Sequence, residues 1–430
     1  MALGVERPAR KRSVAICLLA LVAAALAARI AAACWLDRQL GGRFAFGDSE
    51  SYWSLARAIA RGGPYQFGSA DARVFRTPGY PFLLAPIFLI GGDQPPAIWG
   101  RTISAVCGAF GVLGVWWLGQ RLFGERAGWI AGATAACDPT SVVTSALVLS
   151  EAPFGPLMLA HLALWVGAWQ APSLKRGAAI GLAAGTAAAA ATLVRPSWLL
   201  FTPFAILVGL VFGQQRKRHL AVGLAILLGL CAVMAPWWIR NALVTGHFVP
   251  TTLQVGASLY DGLNPAATGA SNMDFVKRFT EIERARFATS EGAEECFEYY
   301  LDKRFRQEAA NWAVSHPGQA LRLAGVKLLR LWNIWPNEPR YSSWPVRLAV
   351  AFGFVPVFVV GLSGAWKTIR WGWPYVLLWL PAAYFTLLHV IFVASIRYRQ
   401  PAMLTLMVLA AGVVVSGRRR ALRADGVGRR

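Results

Sequence analysis

The sequence predicts an all-α polytopic membrane protein: about ten transmembrane helices, interfacial helices in the first outer loop, and a helical late outer loop. Three observations predict it. Of 430 residues, 56% are hydrophobic and only 15% charged, where a soluble domain carries about a quarter charged residues. Apolar runs of bilayer-spanning length recur along the chain. Basic residues collect in alternate short loops, where 1–13, 120–127, 170–177, 213–219, 366–371 and 417–430 together hold 19 Lys/Arg against 3 Asp/Glu. That asymmetry follows the positive-inside rule and places both termini on the cytoplasmic side of the membrane. It also accounts for most of the net charge of +22. A nucleic-acid surface needs a basic stripe on one folded face, so no nucleic-acid partner is expected. The partner is the bilayer.

In chain order, residues 1–13 are a basic cytoplasmic N-terminus, and 14–35 form the first span. That run is long for the apolar core of a cleaved signal peptide, while its Ala31-Ala32-Ala33 end keeps cleavage as the alternative reading. The stretch 36–96 is the first outer loop. Within it Tyr52, Leu55, Ala56 and Ile59 recur at helical spacing, which predicts an amphipathic helix over 49–61 lying on the interface. Residues 79–90 are apolar but short and contain Pro81 and Pro86, so they read as a second interfacial piece. Were this piece to cross, every later basic loop would move outside.

Spans are then predicted at 97–119, 127–145, 147–169, 178–195, 197–213 and 219–240, completing a module over 14–240. An outer segment, 241–344, follows. Its middle, 272–312, is rich in charged residues and Phe and reads as amphipathic helix, and 317–332 reads as a helix hugging the interface. Spans at 345–366, 373–394 and 400–416 close the domain, with 417–430 a basic cytoplasmic tail. No internal repeat or low-complexity linker breaks the chain. Five of the six cysteines lie in or beside apolar runs, as small hydrophobes do.

The candidate chemistry gathers on the outer side. Asp48 is placed to cap the helix after it, and a carboxylate so held is also a candidate general base. Glu50 points to another face of that helix, as a supporting or solvated acid. Arg76 precedes Thr77-Pro78-Gly79-Tyr80-Pro81, a turn sequence, and is placed to meet a phosphate or an ordinary headgroup. Glu151 lies within an apolar run, where an ionisable group faces a cavity or a partner. Asp138, before Pro139, is its candidate neighbour. Arginines also stand at other outer span ends: Arg195, Arg240, Arg397 and Arg399. The positive-inside rule disfavours them there, and bidentate guanidinium binding of a phosphate accounts for the cluster better than snorkelling. Tyr52, Tyr80 and Tyr398 are placed to line the substrate. His161 and His389 read as helix-packing hydrogen bonders. There is no strong metal motif and no phosphate-binding Gly-rich loop, so no nucleotide-binding domain is expected; were the chain to transfer sugars, a lipid-linked donor would fit it better than a nucleotide sugar.

In order and placement, Asp48 with Tyr52, Arg76 through Pro81, Ser150-Glu151, Arg195-Pro196, Pro236 through Asn241, and Arg397-Tyr398-Arg399-Gln400-Pro401 resemble the GT-C superfamily of polytopic glycosyltransferases. The branch they are most similar to is bacterial glycosyltransferase family 39, related to protein O-mannosyltransferases and the lipid A aminoarabinose transferase. The resemblance covers about 14–416. It implies that Asp48 is the catalytic base and Arg76 a basic residue near the donor phosphate. Many relatives carry adjacent Asp-Glu where this chain has Asp48-Ser49, which leaves the role of Glu50 open. Some relatives use a divalent metal, for which no ligand set is legible here; no other cofactor is expected.

The implied reaction is a single inverting transfer of a sugar from a polyprenyl-phosphate donor to an acceptor hydroxyl on a lipid, glycan or protein, at the periplasmic face. A lipid-linked oligosaccharide polymerase or ligase is the nearest rival, with its key residues in 241–344. A secondary transporter would show inverted repeats and helices broken at mid-membrane.

Overall fold

The computed structural model describes residues 8–289, 296–338 and 342–427, so the first seven residues of the predicted basic N-terminus and the last three of the tail lie outside it. All regular structure among the described residues is helical. In order the helices are α1 (Pro8–Leu40), α2 (Gly47–Arg61), α3 (Gly79–Gly91), α4 (Ala97–Phe123), α5 (Glu125–Cys137), α6 (Pro139–Ser145), α7 (Glu151–Gln170), α8 (Leu174–Val194), α9 (Phe201–Phe212), α10 (Arg216–Thr245), α11 (Val255–Gly262), α12 (Phe275–Ala288), α13 (Phe297–Ser315), α14 (Pro317–Leu331), α15 (Trp344–Thr368), α16 (Trp373–Ile391) and α17 (Gln400–Val427). The protein is a multi-pass membrane protein.

Among the described residues eight helices, rather than ten, are long and apolar enough to cross a membrane. The expected span 127–145 is broken at Asp138-Pro139. Proline cannot continue the hydrogen-bond ladder, and the Asp138 carboxylate instead accepts from the Ser141 N–H and starts α6. That leaves α5 with 13 residues, about 20 Å of helix against a hydrocarbon core of about 30 Å. Pro196 opens a 3-10 turn that similarly shortens the expected 197–213 span to the 12 residues of α9.

The parity of the chain survives these short pieces. Arg121 donates to Gln170 at 2.8 Å, Arg218 to the Ala171 carbonyl, and Tyr375 to the Leu122 carbonyl at 3.1 Å. The His219 ring lies between Trp169 and Trp373, 4.4 and 4.6 Å from them. Four basic loops thus meet at one end of the bundle, and Asp48, Arg76, Glu151, Arg195 and Arg397 meet at the other.

Small residues set the closest crossing. On α8 and α10, a Cβ added at Gly185 would stand 2.1 Å from the Ile226 carbonyl, and one at Gly229 2.2 Å from that of Leu182. Such close backbone approach is how membrane helices gain packing energy without a hydrophobic driving force. His161 serves this packing too, accepting from the Trp198 indole at 3.1 Å.

The outer helices cover the site end. As the periodicity predicts, α2 buries Tyr52, Leu55 and Ala56. The amphipathic middle of 241–344 is two helices, α12 and α13. The latter reaches back to the first outer loop, where the Glu298 carboxylate accepts from the Arg73 and Val74 N–H groups at 2.8 and 3.0 Å. Gly79 packs directly on the end of α8, and a Cβ there would lie 2.6 Å from the Leu193 carbonyl carbon.

Candidate active site

Asp48 does not cap its helix. The helix begins at Gly47, Phe46 is the cap residue, and it makes no side-chain cap bond. Lying one residue inside, Asp48 turns its carboxylate to two arginines. Oδ1 lies 2.6 Å from Arg76 Nη2 and Oδ2 3.2 Å from Arg397 Nη2. The side chain remains 36% exposed, while Arg76 and Arg397 are 15% and 18% exposed. Burial by itself raises the Asp48 carboxyl, but the two guanidinium groups outweigh it and hold it below its ordinary range. Arg76 is fixed by a donation from Nε to Ser51 Oγ at 3.1 Å and sits over the Tyr52 and Phe75 rings. Its own carbonyl accepts from the Tyr65 hydroxyl.

A second carboxylate lies deeper. Glu151 occupies the first turn of α7, where the helix dipole favours an anion, and its side chain is 3% exposed. Its Oε1 stands 3.0 Å from Arg397 Nε and 3.1 Å from Arg195 Nη1. Neither contact is aligned as a hydrogen bond, and among the described residues Arg195 Nε has no partner. Arg195 instead reaches Ser150 Oγ at 3.3 Å. Arg397 therefore bridges the partly open carboxylate and the buried one. Its Nη2 also donates to the Tyr398 hydroxyl at 3.2 Å, and the Arg195 guanidinium stands 5.6 Å from the Tyr398 ring.

The remaining candidates fall in three places. Tyr52 and Tyr80 meet edge to face, 5.1 Å between centroids, with the Tyr80 hydroxyl held by Ser104. Tyr52 lies beneath the Arg76 guanidinium, whereas Tyr80 is fully buried behind it and lines no open surface, contrary to expectation. Glu50 is exposed on α2. Asp138, Arg240 and Arg399 lie apart from the Asp48–Glu151 cluster. Asp138 binds Ser141 and Gln400 rather than Glu151. Arg240 donates to the Arg73 carbonyl and covers Tyr65 and Trp237. Arg399 is buried, donates to the Leu331 and Asn333 carbonyls, and lies 3.5 Å from the Phe354 ring centroid.

Sequence reasoning did not find Ser51, Glu298 or the stacking of His389 on Tyr398. Ser51 lies three residues from Asp48, a spacing that could have drawn attention to it. Glu298 had no such signal, being more than 200 residues from the loop it holds. His389 stacks on Tyr398 with centroids 4.6 Å apart, and its Nδ1 pairs with the Val393 carbonyl.

No group of three or more His, Cys, Asp or Glu close enough to hold a metal ion occurs among the described residues. The two acids of the cluster already face three arginines, a donor set suited to an anion rather than a divalent cation.

The family described as dolichyl-phosphate-mannose-protein mannosyltransferase matches residues 76–239. The archaeal oligosaccharyltransferase AglB from Archaeoglobus fulgidus, solved with an inhibitory peptide and a dolichol-phosphate, superposes with a TM-score of 0.54 at 15% identity, over 96% of this chain and 52% of that one. The chain has the GT-C fold.

The oligosaccharyltransferase of the same organism tethered with an acceptor peptide containing the NVT sequon gives 0.55 at 14% identity, over 96% and 51%. ArnT from Cupriavidus metallidurans bound to undecaprenyl phosphate gives 0.44 at 17%, over 93% and 77%. The chain spans about half the length of the archaeal oligosaccharyltransferases it resembles. No curated protein matches it significantly. The family match starts at Arg76, takes in Glu151 and Arg195, and stops short of Arg240. Asp48 and Arg397 lie outside it, so their place in the site rests on the geometry alone.

Proposed function

We propose that this protein is a membrane glycosyltransferase that moves a sugar from a polyprenyl-phosphate donor to an acceptor hydroxyl by inverting displacement, with Asp48 as general base. The observation that carries the reading is the pairing of a partly open carboxylate, Asp48, with Arg76 and Arg397 at the mouth of a deeper arginine–carboxylate cluster. It supplies a base and a phosphate-binding surface within one bridging side chain of each other. The active end faces the periplasm, and both termini face the cytoplasm of a bacterial inner membrane. Support for that orientation comes from the four basic loops gathered at the opposite end of the bundle.

The donor phosphate binds Arg397 and Arg195, whose buried and unpartnered Nε is a donor waiting for an acceptor. Sharing Arg397 with the phosphate loosens its hold on Asp48, so the carboxylate becomes a stronger base when the donor is in place. Asp48 then takes the acceptor's hydroxyl proton while the oxygen attacks the anomeric carbon. The bond from that carbon to the phosphate oxygen breaks, and the electron pair leaves on the polyprenyl phosphate, stabilised by the arginines. Phosphate is a good leaving group, so the reaction needs no strong acid opposite Asp48. Tyr52 shapes the wall, and Arg76 keeps Asp48 in register. Asp138, Arg240 and Arg399 hold backbone and helix ends, and Glu50 is a solvated neighbour.

The test is sugar transfer by membranes carrying the full chain, supplied with radiolabelled polyprenyl-phosphate sugars of several kinds. Donor consumption that is lost in Asp48→Ala and Arg397→Ala alike supports the reading. Loss in Arg397→Ala with full activity in Asp48→Ala would favour a polymerase or ligase working from the late loop.

A further inference from the structure

A cavity of about 500 Å³ opens at the outer end of the bundle, between the end of α14 and the start of α15. Its wall includes Leu329, Arg330, Asn333, Trp335, Ser342 and Arg347. Two features of this wall stand out. Among the described residues its charge is wholly positive, since none of those lining it is acidic; Glu338, nearby in the chain, is exposed and outside the lining. Arg347 also sits in the first turn of α15, at the end of a 25-residue helix whose dipole already carries positive charge, with no acidic residue in that turn. A cation there is disfavoured unless an anion shares the site.

The arginines are poised rather than consumed. Among the described residues, Arg330 Nε donates to the Ala394 carbonyl at 3.4 Å and Arg347 Nε to Ser342 Oγ at 2.8 Å. A guanidinium has five N–H donors, so most remain free to turn to a ligand. Around them the surface is apolar and aromatic. Leu329 is 74% exposed, Trp344 71% and Trp335 43%, and the Arg347 guanidinium lies 5.5 Å from the Trp344 ring. Exposed Leu and Trp beside arginines are what the boundary between headgroups and acyl chains selects.

We infer that this cavity is a binding site for an anionic phospholipid, its phosphate held by Arg330 and Arg347 and its acyl chains lying along Leu329 and Trp344. The charge selects an anion, and the apolar rim selects one with hydrocarbon chains. The site stands apart from Asp48 but shares a turn with its frame: Arg399 grips the Leu331 and Asn333 carbonyls next to the cavity wall, two residues from Arg397. A bound lipid therefore braces the segment that carries the bridging arginine.

The experiment is native mass spectrometry of the full chain in detergent, titrated with phosphatidylglycerol, with phosphatidylcholine of the same acyl chains, and with glycerol 3-phosphate. Phosphatidylglycerol is expected to be retained about ten-fold better than phosphatidylcholine, and the Arg330→Gln/Arg347→Gln protein to lose about that factor. Leu329→Glu keeps the fold, since the side chain is already exposed, and sets a carboxylate against the phosphate. It is expected to lose phosphatidylglycerol as well. Asp48→Asn is expected to bind as the wild type does, which separates this inference from the catalytic one. Equal retention of the two lipids, or unchanged retention in both the double variant and Leu329→Glu, overturns it. Competition by glycerol 3-phosphate as strong as that by the whole lipid points to a soluble phosphate and overturns it equally.

Discussion

Removing Arg397 tests the bridge at the centre of the site. In Arg397→Gln, Glu151 loses the guanidinium at 3.0 Å and keeps only Arg195 at 3.1 Å, with its side chain 3% exposed. Stripping a buried charge of its partner costs about 3–5 kcal/mol. With one of two partners left, about half of that applies, near 2 kcal/mol. Asp48 is 36% exposed and keeps Arg76, so its loss of Arg397 adds less than about 1 kcal/mol. The assay is reversible unfolding in mixed micelles, or apparent Tm at a fixed scan rate where unfolding is irreversible. The companion variant is Glu151→Gln, alone and combined with Arg397→Gln. Because the two side chains share one contact, the double variant is expected to be about 1–2 kcal/mol more stable than the sum of the single losses. A strictly additive pair, with Arg397→Gln within about 0.5 kcal/mol of wild type, would refute the reasoning.

Other outcomes follow from the same geometry. Asp48 is held below its ordinary range, so it contributes stability above the unfolded-state value near 3.9 that is lost as pH falls through the lower folded value. In Arg76→Gln the acid limb of kcat/KM should move to higher pH, as pH–rate profiles will show. Burial pushes Glu298 up to about 7 against its backbone donors and Arg240. The folded chain then keeps a proton the unfolded chain has released, so stability falls as pH rises from about 4.5 to 7. Thermal scans across pH 5–8 should show that decline in wild type and a flatter profile in Glu298→Gln. Gly79→Ala drives a Cβ into the backbone at Leu193, and is expected to cost about 1–3 kcal/mol and to lower transfer by shifting Arg76, both measurable on one membrane preparation.

Local pattern made much of this architecture legible. The spacing of Tyr52, Leu55 and Ala56 gave α2 its buried face, and the alternation of basic loops gave the bundle its two ends. The break at Asp138-Pro139 was hidden because Val142, Val143 and the run 146–149 resume beyond it, and hydropathy averages over a proline. Arginines at outer span ends were visible as a class, but not sorted. Arg195 and Arg397 meet carboxylates, whereas Arg240 and Arg399 meet backbone carbonyls exposed at loop turns. Residue type is the same in both groups, and only tertiary contact separates them. The Asp48–Arg397 pair spans 349 residues of chain, a distance over which no local pattern reaches.

The most direct test of the central claim is single-turnover sugar transfer by Asp48→Asn, with donor bound to saturation. Asparagine keeps the shape and can still face Arg76 and Arg397, but it cannot take a proton. The account predicts donor binding within a few-fold of wild type and a chemical step slower by about 10²–10⁴. A variant that transfers sugar at the wild-type rate from a fully bound donor would contradict it.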